Sequence, residues 1–340
     1  MIRQSLFFMG PHKVEVREEP LAPPGPRQVL VKTLISAISP GTELLIYRGQ
    51  APGDLSVDET IPALAGRFDF PLKYGYAAIG RVMALGEGVP KEWQDRLVFA
   101  FHPHESHFLA DLEELLLPPS SIPPEAAVFF PNMETAVTLA MDGRPQLGEQ
   151  VAVFGQGVVG LLLTGLLARL PLAVLATVDL HASRRALSED WGAHLSLDPA
   201  VPGVLRQLLD ALSDGSYRGA DLCYEVSGNP KALEQAIAAT GFHGRVVIGS
   251  WYGLKKADLN LGGRFHRSRM RLISSQVSTL APELSGRWSK FRRYLLAWRM
   301  LAEIDPTPLI THRFPLTEAA RAFKLLDQNP AEALQVILTY

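Results

Sequence analysis

The sequence predicts an α/β protein in which a β-rich N-terminal domain precedes a doubly wound parallel sheet, and in which the C-terminus returns to the first domain. The N-terminal part carries short alternating or β-branched runs punctuated by Gly and Pro, a pattern typical of an all-β domain. From Gln150 onward, short apolar runs alternate with helical segments, which favours a parallel sheet. A length of 340 residues also suits two domains. We therefore predict domains at residues 1–122 and 123–285, followed by a returning segment at 286–340.

The first domain is predicted to contain five strands and to be followed by a helix. The strands are Ser5–Phe8, Lys13–Arg17, Val29–Ala37, Ala77–Leu85 and Arg96–Phe101. The helix covers residues 123–143, because Pro-Pro-Glu opens this segment and Gly143 ends it.

The second half supplies the parallel strands and the returning segment. The strands are predicted at Gln150–Phe154, Ala173–Val178, Ala193–Leu197, Ala220–Glu225 and Gly244–Ile248, with a further one at Arg271–Val277. The returning elements are an amphipathic helix over Ser285–Ile304, a helix over Leu316–Asp327 and a strand over Ala333–Tyr340.

A glycine motif follows the first parallel strand and predicts a dinucleotide site of the Rossmann type. Gly155, Gly157 and Gly160 form G-x-G-x-x-G between a β-branched run and an apolar helix. In this motif the first glycine permits the tight turn, the second lets the backbone approach a pyrophosphate, and the third lets helix and strand pack closely. The helix begins near Val158 and Val159, so its unpaired N–H groups would face the phosphates.

An acidic residue decides which dinucleotide is expected. Asp179 ends the next apolar run, where a carboxylate can accept hydrogen bonds from ribose hydroxyls and would repel a 2′-phosphate. The expected cofactor is therefore NAD. NADP stays possible because Arg184 follows closely and could tolerate a phosphate. Gly249 and Ser250 follow a later strand at the ligand-binding edge of the sheet, so their backbone groups are predicted to meet the nicotinamide amide.

Composition excludes several other classes of protein. The formal net charge is −2, which gives no indication of nucleic acid or anionic lipid as a partner. The single cysteine, Cys223, excludes an internal disulfide and a four-cysteine zinc site. The first twenty residues lack a long apolar core and a cleavage site, so a cytoplasmic protein without a membrane segment is expected.

Several segments together resemble the medium-chain dehydrogenase/reductase superfamily of zinc-type alcohol dehydrogenase-like proteins. Residues 36–43 (SAISPGTE) resemble its first active-site loop, residues 73–82 (KYGYAAIGRV) its second, and residues 226–230 (VSGNP) a strand-end loop. Within it, residues 274–278 (SSQVS) and the first two loops look most like the hydroxyethyl-bacteriochlorophyllide dehydrogenase-like branch. The resemblance implies a GroES-like catalytic domain, Ser227 as a cofactor neighbour and a homodimer.

The sequence departs from the zinc pattern of that superfamily. Zinc-dependent relatives carry Cys in the first loop and His-Glu in the second, and the matching positions here are Ser39, Tyr76 and Ala77. Hydroxyl and methyl groups are poor zinc ligands, so a catalytic zinc is not expected.

Two features nevertheless leave a metal site as an alternative. His102, His104 and His107 are clustered, and the first two would share a face if strand geometry continued through them. By resemblance, Glu134 lies where some zinc relatives carry a carboxylate ligand.

Without a metal, side chains must take up the proton and stabilise the oxyanion of an alcohol substrate. The predicted catalytic residues are Thr42, Tyr76, His104 and Glu134, whereas Glu43 is interpreted mainly as stabilising its loop. We predict an NAD(P)-dependent oxidoreductase that acts on a secondary alcohol or ketone of polyol, cyclitol or sugar type. The alternatives are a zinc-free quinone or enoyl reductase and a non-catalytic dinucleotide-binding protein.

Overall fold

The structure is a computed structural model that describes residues 1–58, 60–215 and 217–340. The strands are β1 Ile2–Gly10, β2 Lys13–Pro20, β3 Gln28–Ile38, β4 Leu72–Lys73, β5 Ala78–Leu85, β6 Leu97–Ala100, β7 His107–Asp111, β8 Leu115–Leu116, β9 Gln150–Phe154, β10 Val174–Val178, β11 Leu195–Leu197, β12 Ala220–Glu225, β13 Thr240–Ile248, β14 Arg271–Ser274, β15 Ile310–Pro315 and β16 Gln335–Thr339. The α-helices are α1 Pro40–Tyr47, α2 Pro124–Ala127, α3 Phe130–Gly143, α4 Val158–Leu167, α5 Ala182–Asp190, α6 Val204–Ala211, α7 Pro230–Ala239, α8 Lys290–Ile304 and α9 Ala319–Gln328.

The chain forms two compact units, and the first combines both ends of the chain. This first unit comprises residues 1–131 and 301–340, and the second unit comprises residues 132–300. The boundaries expected from sequence, after residues 122 and 285, precede these two points. Both observed boundaries lie inside helices, α3 and α8.

The first unit is β-rich, as predicted, and its largest sheet includes the C-terminal strands. Seven strands form this sheet in the order β15-β16-β3-β5-β6-β8, with β7 also paired to β3. Strand β16 runs antiparallel to β3, with Ile337 opposite Ala37, so the predicted return of the C-terminus is confirmed. A second sheet, β2-β1-β4, packs Leu6 and Phe8 against Phe323 of α9 in one apolar core.

The second unit is built on a parallel sheet with the order β11-β10-β9-β12-β13-β14. All five residues of the central strand β9 are buried, because helices cover both faces of such a sheet. The strand order reverses direction between β9 and β12, which makes the gap between their carboxyl ends the topological switch point. The predicted doubly wound parallel sheet is confirmed.

Differences from the predicted elements have local causes. The helix expected over residues 123–143 is interrupted between α2 and α3, because Pro131 lacks an N–H and fits only the first turn of a helix. The segment over residues 36–43, which resembles an active-site loop, is helical from Pro40 onward, where α1 begins. The strand predicted over 271–277 ends at Ser274. Among the residues described, no helix has the length and apolar character that crossing a membrane requires.

Candidate functional site

The glycine turn of the second unit is shaped by its own packing. Gly155 has a φ of +100°, and a Cβ there would lie 2.6 Å from the Cα of Ser227. A Cβ at Gly160 would lie 2.0 Å from the carbonyl oxygen of Gly155. At Gly157, by contrast, a Cβ would meet no atom within 4 Å. Two glycines are therefore required by the protein itself, and the third leaves an open cradle at the start of α4.

Asp179 joins this turn to the end of β10. Its Oδ2 accepts a hydrogen bond from the Gln156 N–H at 2.7 Å, and its Oδ1 accepts one from the His181 N–H at 2.8 Å. The side chain is buried. Each carboxylate oxygen retains a further lone pair. The cradle, the helix N-terminus and this carboxylate together fit the ribose and pyrophosphate of a dinucleotide.

Two arginines on α5 follow Asp179 in the sequence. Arg185 donates from Nη1 to the carbonyl oxygens of Asp179 and Leu180, both at 2.9 Å, and lies 3.2 Å from an oxygen of Asp198. Burial lowers the pKa of Arg184, and the charge of Asp179 opposes that shift. Arg185 is thus committed to holding the strand end, whereas Arg184 lies within the electrostatic reach of Asp179.

The ends of β12 and β13 are tied together by Glu225, a residue that sequence reasoning did not select. Its buried side chain accepts a hydrogen bond from the Ser227 N–H at 2.8 Å, and its backbone carbonyl accepts one from the Gly249 N–H at 2.9 Å. The Ser250 hydroxyl accepts a hydrogen bond from the Gly228 N–H at 2.8 Å. The sequence offered one indication, namely an acidic residue that ends an otherwise apolar strand.

Glu134 forms a buried ion pair with Arg293 in the same unit. Burial raises the pKa of the Glu134 carboxyl, while the Arg293 charge and hydrogen bond oppose the shift. Arg293 was not selected from the sequence, because the Arg and Lys residues of the amphipathic segment Ser285–Ile304 are expected to form a solvated face.

A cluster of three hydroxyl groups lies in the first unit at the start of α1. The Tyr76 hydroxyl donates a hydrogen bond to Ser39 Oγ, and Thr42 Oγ1 lies 3.4 Å from the Tyr76 hydroxyl oxygen. Burial raises the pKa of the Tyr76 phenol, and its hydrogen bonds with Ser39 and Thr42 offset part of that shift. The phenol therefore stays protonated at neutral pH and is a proton donor.

A second layer of buried polar groups supports this cluster. The Nε2 of His104 lies 3.0 Å from Glu43 Oε2, and Glu43 Oε1 accepts a hydrogen bond from the Ser39 N–H at 2.8 Å. The His104 Nδ1 lies 2.6 Å from the hydroxyl of Ser36. His104 and Glu43 are both fully buried, and a Cβ at Gly75 would lie 2.8 Å from the imidazole. The layer thus holds the backbone of Ser39 and packs against Gly75, which precedes Tyr76.

Comparisons with known proteins relate the chain to dehydrogenases. Residues 158–295 match the family model described as zinc-binding dehydrogenase. The chain is 27% identical over 341 residues to L-threonine 3-dehydrogenase from Pyrococcus horikoshii, with 92% of this chain and 91% of the relative covered.

Two solved structures share the fold over nearly the whole chain. A short chain alcohol dehydrogenase from Escherichia coli CFT073, complexed with the cofactor NADH, is 17% identical with a TM-score of 0.80, covering 100% of this chain and 99% of that one. 2R,3R-butanediol dehydrogenase from Bacillus subtilis is 19% identical with a TM-score of 0.80, covering 99% of each chain. The second half of the chain therefore resembles the zinc-binding dehydrogenase family, and the chain as a whole shares the fold of these dehydrogenases. The family match and the full-length relatives support the predicted assignment to the dehydrogenase enzymes.

The three positions that the sequence resemblance matches to zinc ligands carry hydroxyl and methyl groups. Ser39 and Tyr76 are hydrogen-bonded to each other through their hydroxyls, and Ala77 offers a methyl group. Neutral hydroxyls do not replace thiolate and imidazole as zinc ligands. These three positions do not fit a catalytic zinc.

The two remaining histidines of the predicted cluster have separate partners. His102 stacks on Phe108 with ring centroids 4.0 Å apart, and its Nδ1 lies 3.7 Å from Glu105. The Nδ1 of His107 lies 3.1 Å from the Ser106 hydroxyl. Strand β6 ends before these residues, so the condition for a shared face is not met. Within residues 1–58, 60–215 and 217–340, no group of three or more His, Cys, Asp or Glu side chains is arranged to hold a metal ion.

Proposed function

We propose that this dehydrogenase prefers NAD and transfers hydride between the nicotinamide and a secondary alcohol or ketone of polyol, cyclitol or sugar type, without a catalytic zinc. The observation that carries the proposal is the Asp179 carboxylate, which closes the glycine turn beside an open position at Gly157. A 2′-phosphate in this position would meet a buried negative charge, so NAD is favoured over NADP.

The cofactor would be held mainly by backbone groups. The N-terminus of α4 offers free N–H groups to the pyrophosphate, and Asp179 offers lone pairs to ribose hydroxyls. When bound, the nicotinamide supplies the hydride or accepts it. The residues assigned to the cofactor are Gly155, Gly157, Val158, Val159, Gly160, Asp179, Arg184, Ser227, Gly249 and Ser250.

The proton chemistry is assigned to the hydroxyl cluster. A neutral phenol at Tyr76 can donate its proton to the oxygen of a ketone during reduction, and Thr42 supplies a second hydroxyl. Ser39 accepts the Tyr76 hydrogen bond and so orients the phenol. His104 and Glu43 are fully buried, and this favours a positioning role over contact with substrate for both.

The substrate class follows from the polar character of this cluster. Three hydroxyls suit a substrate that carries several hydroxyl groups better than a flat quinone. Curated and solved relatives include enzymes named for threonine and for butanediol, and both molecules are small polar alcohols.

Calorimetry with NADH and NADPH, followed by turnover of alcohols and ketones of these classes, tests the proposal. We expect NADH to bind more tightly than NADPH, and Tyr76→Phe to lower kcat about 100-fold or more without changing NADH affinity. Tyr217→Phe, which removes a hydroxyl bonded to the Phe242 carbonyl elsewhere, is the matched control.

Three outcomes would overturn parts of the proposal. Failure of both dinucleotides to bind would reject the redox function. Binding without turnover of any substrate would favour a non-catalytic dinucleotide-binding protein. One zinc per chain in metal analysis, lost together with activity on chelation, would reject the metal-free assignment.

A further inference from the structure

Arg293 is the largest fully buried side chain among the residues described. It lies on α8 and directly follows Arg292, which is exposed. The Arg293 guanidinium donates to the Glu134 carboxylate through Nη2, which also donates to the Val277 carbonyl at 2.6 Å. Its Nη1 donates to the Thr279 carbonyl at 3.1 Å. One buried cation therefore connects α3, α8 and the segment that follows β14.

Stability alone does not account for this pair. Removing two charges from water costs about as much free energy as their attraction returns, and a well-packed apolar pair of similar volume is often at least as stable. A buried pair instead enforces one geometry, because the planar guanidinium fixes the direction of every acceptor around it. The other two acceptors are backbone carbonyls of residues 275–279. This segment follows β14 and is called the β14 loop.

The β14 loop is also held at its first residue. The Ser275 N–H donates to the Ile248 carbonyl at 3.0 Å, and the Ser275 hydroxyl donates to Asp142 Oδ2 at 2.6 Å. Asp142 and Glu134 both belong to α3. Two carboxylates of one helix thus anchor the two ends of the loop, one directly and one through Arg293.

The β14 loop lies at the edge of the sheet along which the proposed cofactor would bind. It continues from the carboxyl end of β14, at the same edge of the sheet as the glycine turn after β9. Dinucleotides lie along this edge across the switch point between β9 and β12. Asp179 directly follows β10, on one side of the switch point, so the adenosine half lies there and the nicotinamide half lies toward β13 and β14.

We propose that Arg293, held by Glu134, is a positioning residue for the nicotinamide half of the cofactor because it fixes the β14 loop. This inference rests on the proposed dinucleotide site and assigns to Glu134 a positioning role in place of direct catalysis. The pair has no expected influence on the adenosine half, which is held by the glycine turn and Asp179.

The test compares two ligands that differ in the nicotinamide. Calorimetry with NADH and with ADP-ribose measures the affinity of the whole cofactor and of the part without nicotinamide. For Arg293→Met we expect NADH affinity to fall about tenfold, while ADP-ribose affinity stays within about twofold of the wild type. Arg293→Lys should recover part of the loss, and the exposed Arg292→Met is the matched control. Thermal unfolding establishes that each variant is folded.

A second variant keeps the inference testable if Arg293→Met fails to fold. Glu134→Gln preserves the shape of the side chain and removes its charge, and we expect the same selective loss of NADH affinity. Equal weakening of NADH and ADP-ribose, or no weakening of either, would overturn the inference. If the wild type binds neither ligand, the proposed function itself fails. If it binds ADP-ribose as tightly as NADH, the dinucleotide site stands and the inference about the nicotinamide half is rejected.

Discussion

The glycine turn of the second unit and the hydroxyl cluster of the first are held by different kinds of contact. The glycine turn is a contiguous stretch, fixed by backbone conformation and by one carboxylate that accepts two backbone N–H groups. The hydroxyl cluster rests on contacts among side chains from distant segments, such as His104 with Ser36 and Glu43. A backbone site tolerates few residue types, whereas a side-chain site depends on every member being present together.

The largest effect that separates the two regions is expected at Glu43. Glu43→Ala removes the acceptor for the Ser39 N–H and the partner of His104, leaving buried polar groups unpaired. Breaking such a buried pair costs about 4 kcal/mol, so we expect a marked fall in the free energy of unfolding and in kcat. Glu43→Gln, which can still accept from Ser39, should lose less. NADH affinity is the discriminating measurement, since an equal fall in it would show that the two regions are not independent.

Gly160→Ala is the corresponding destabilising substitution in the glycine turn. Its Cβ would lie 2.0 Å from the Gly155 carbonyl oxygen, so the backbone must shift, at a cost of about 3 kcal/mol. We expect chemical denaturation to show this loss and calorimetry to show that NADH binding is lost with it.

Gly157→Ala is the matched control, because it adds the same methyl group where no protein atom lies within 4 Å. We expect it to keep the wild-type stability but to weaken NADH, since the methyl would occupy the cradle. Full NADH affinity in Gly157→Ala would show that the cofactor does not pass over this glycine.

The same contrast explains how much of the fold could be predicted. The parallel sheet follows from strands that are apolar along their whole length, and the glycine motif marks its first turn. Helix α1 was missed because Pro40 and Gly41 are turn residues, yet proline is well suited to the first position of a helix. The break before α3 was visible in principle, because Pro131 cannot occupy the interior of a helix.

The candidate site was predictable where the backbone decides and not where side chains from distant segments meet. Asp179 could be placed from its spacing after the glycine motif. No local pattern shows that Glu43 will meet His104, which lies 61 positions further along the chain. Arg293 was interpreted as solvated because its neighbours on α8 are charged, and only its meeting with Glu134, 159 positions earlier, reveals its burial.

His102 tests the same comparison through pH, because it is a partly buried side chain of the first unit whose surroundings favour the neutral form. Burial lowers its pKa to about 4 from 6.5, although Glu105 opposes the shift and Arg3 and Lys73 add to it. The unfolded chain therefore binds a proton below about pH 6.5 that the folded chain does not, and stability falls as the pH drops from 6.5 towards 4. At pH 5 this loss amounts to about 2 kcal/mol.

We expect His102→Phe, which can retain the ring contact with Phe108, to remove most of this pH dependence. The measurement is the free energy of unfolding between pH 4.5 and 7 by chemical denaturation, with the exposed His266→Gln as control. An unchanged slope in His102→Phe would show that other groups cause the acid sensitivity of this unit.

The smallest effect is expected at Asp179, whose carboxylate holds the backbone of the glycine turn. Asp179→Ser removes the negative charge that disfavours a 2′-phosphate but leaves a hydroxyl close to the glycine turn. We expect the ratio of NADH to NADPH affinity to fall about tenfold, equivalent to about 1.4 kcal/mol. Asp198→Asn, which alters another carboxylate on the same side of the sheet, should leave the ratio unchanged. An unchanged ratio in Asp179→Ser would show that this carboxylate only holds the turn and does not meet the ribose, and the cofactor preference would then have to originate elsewhere in the second unit.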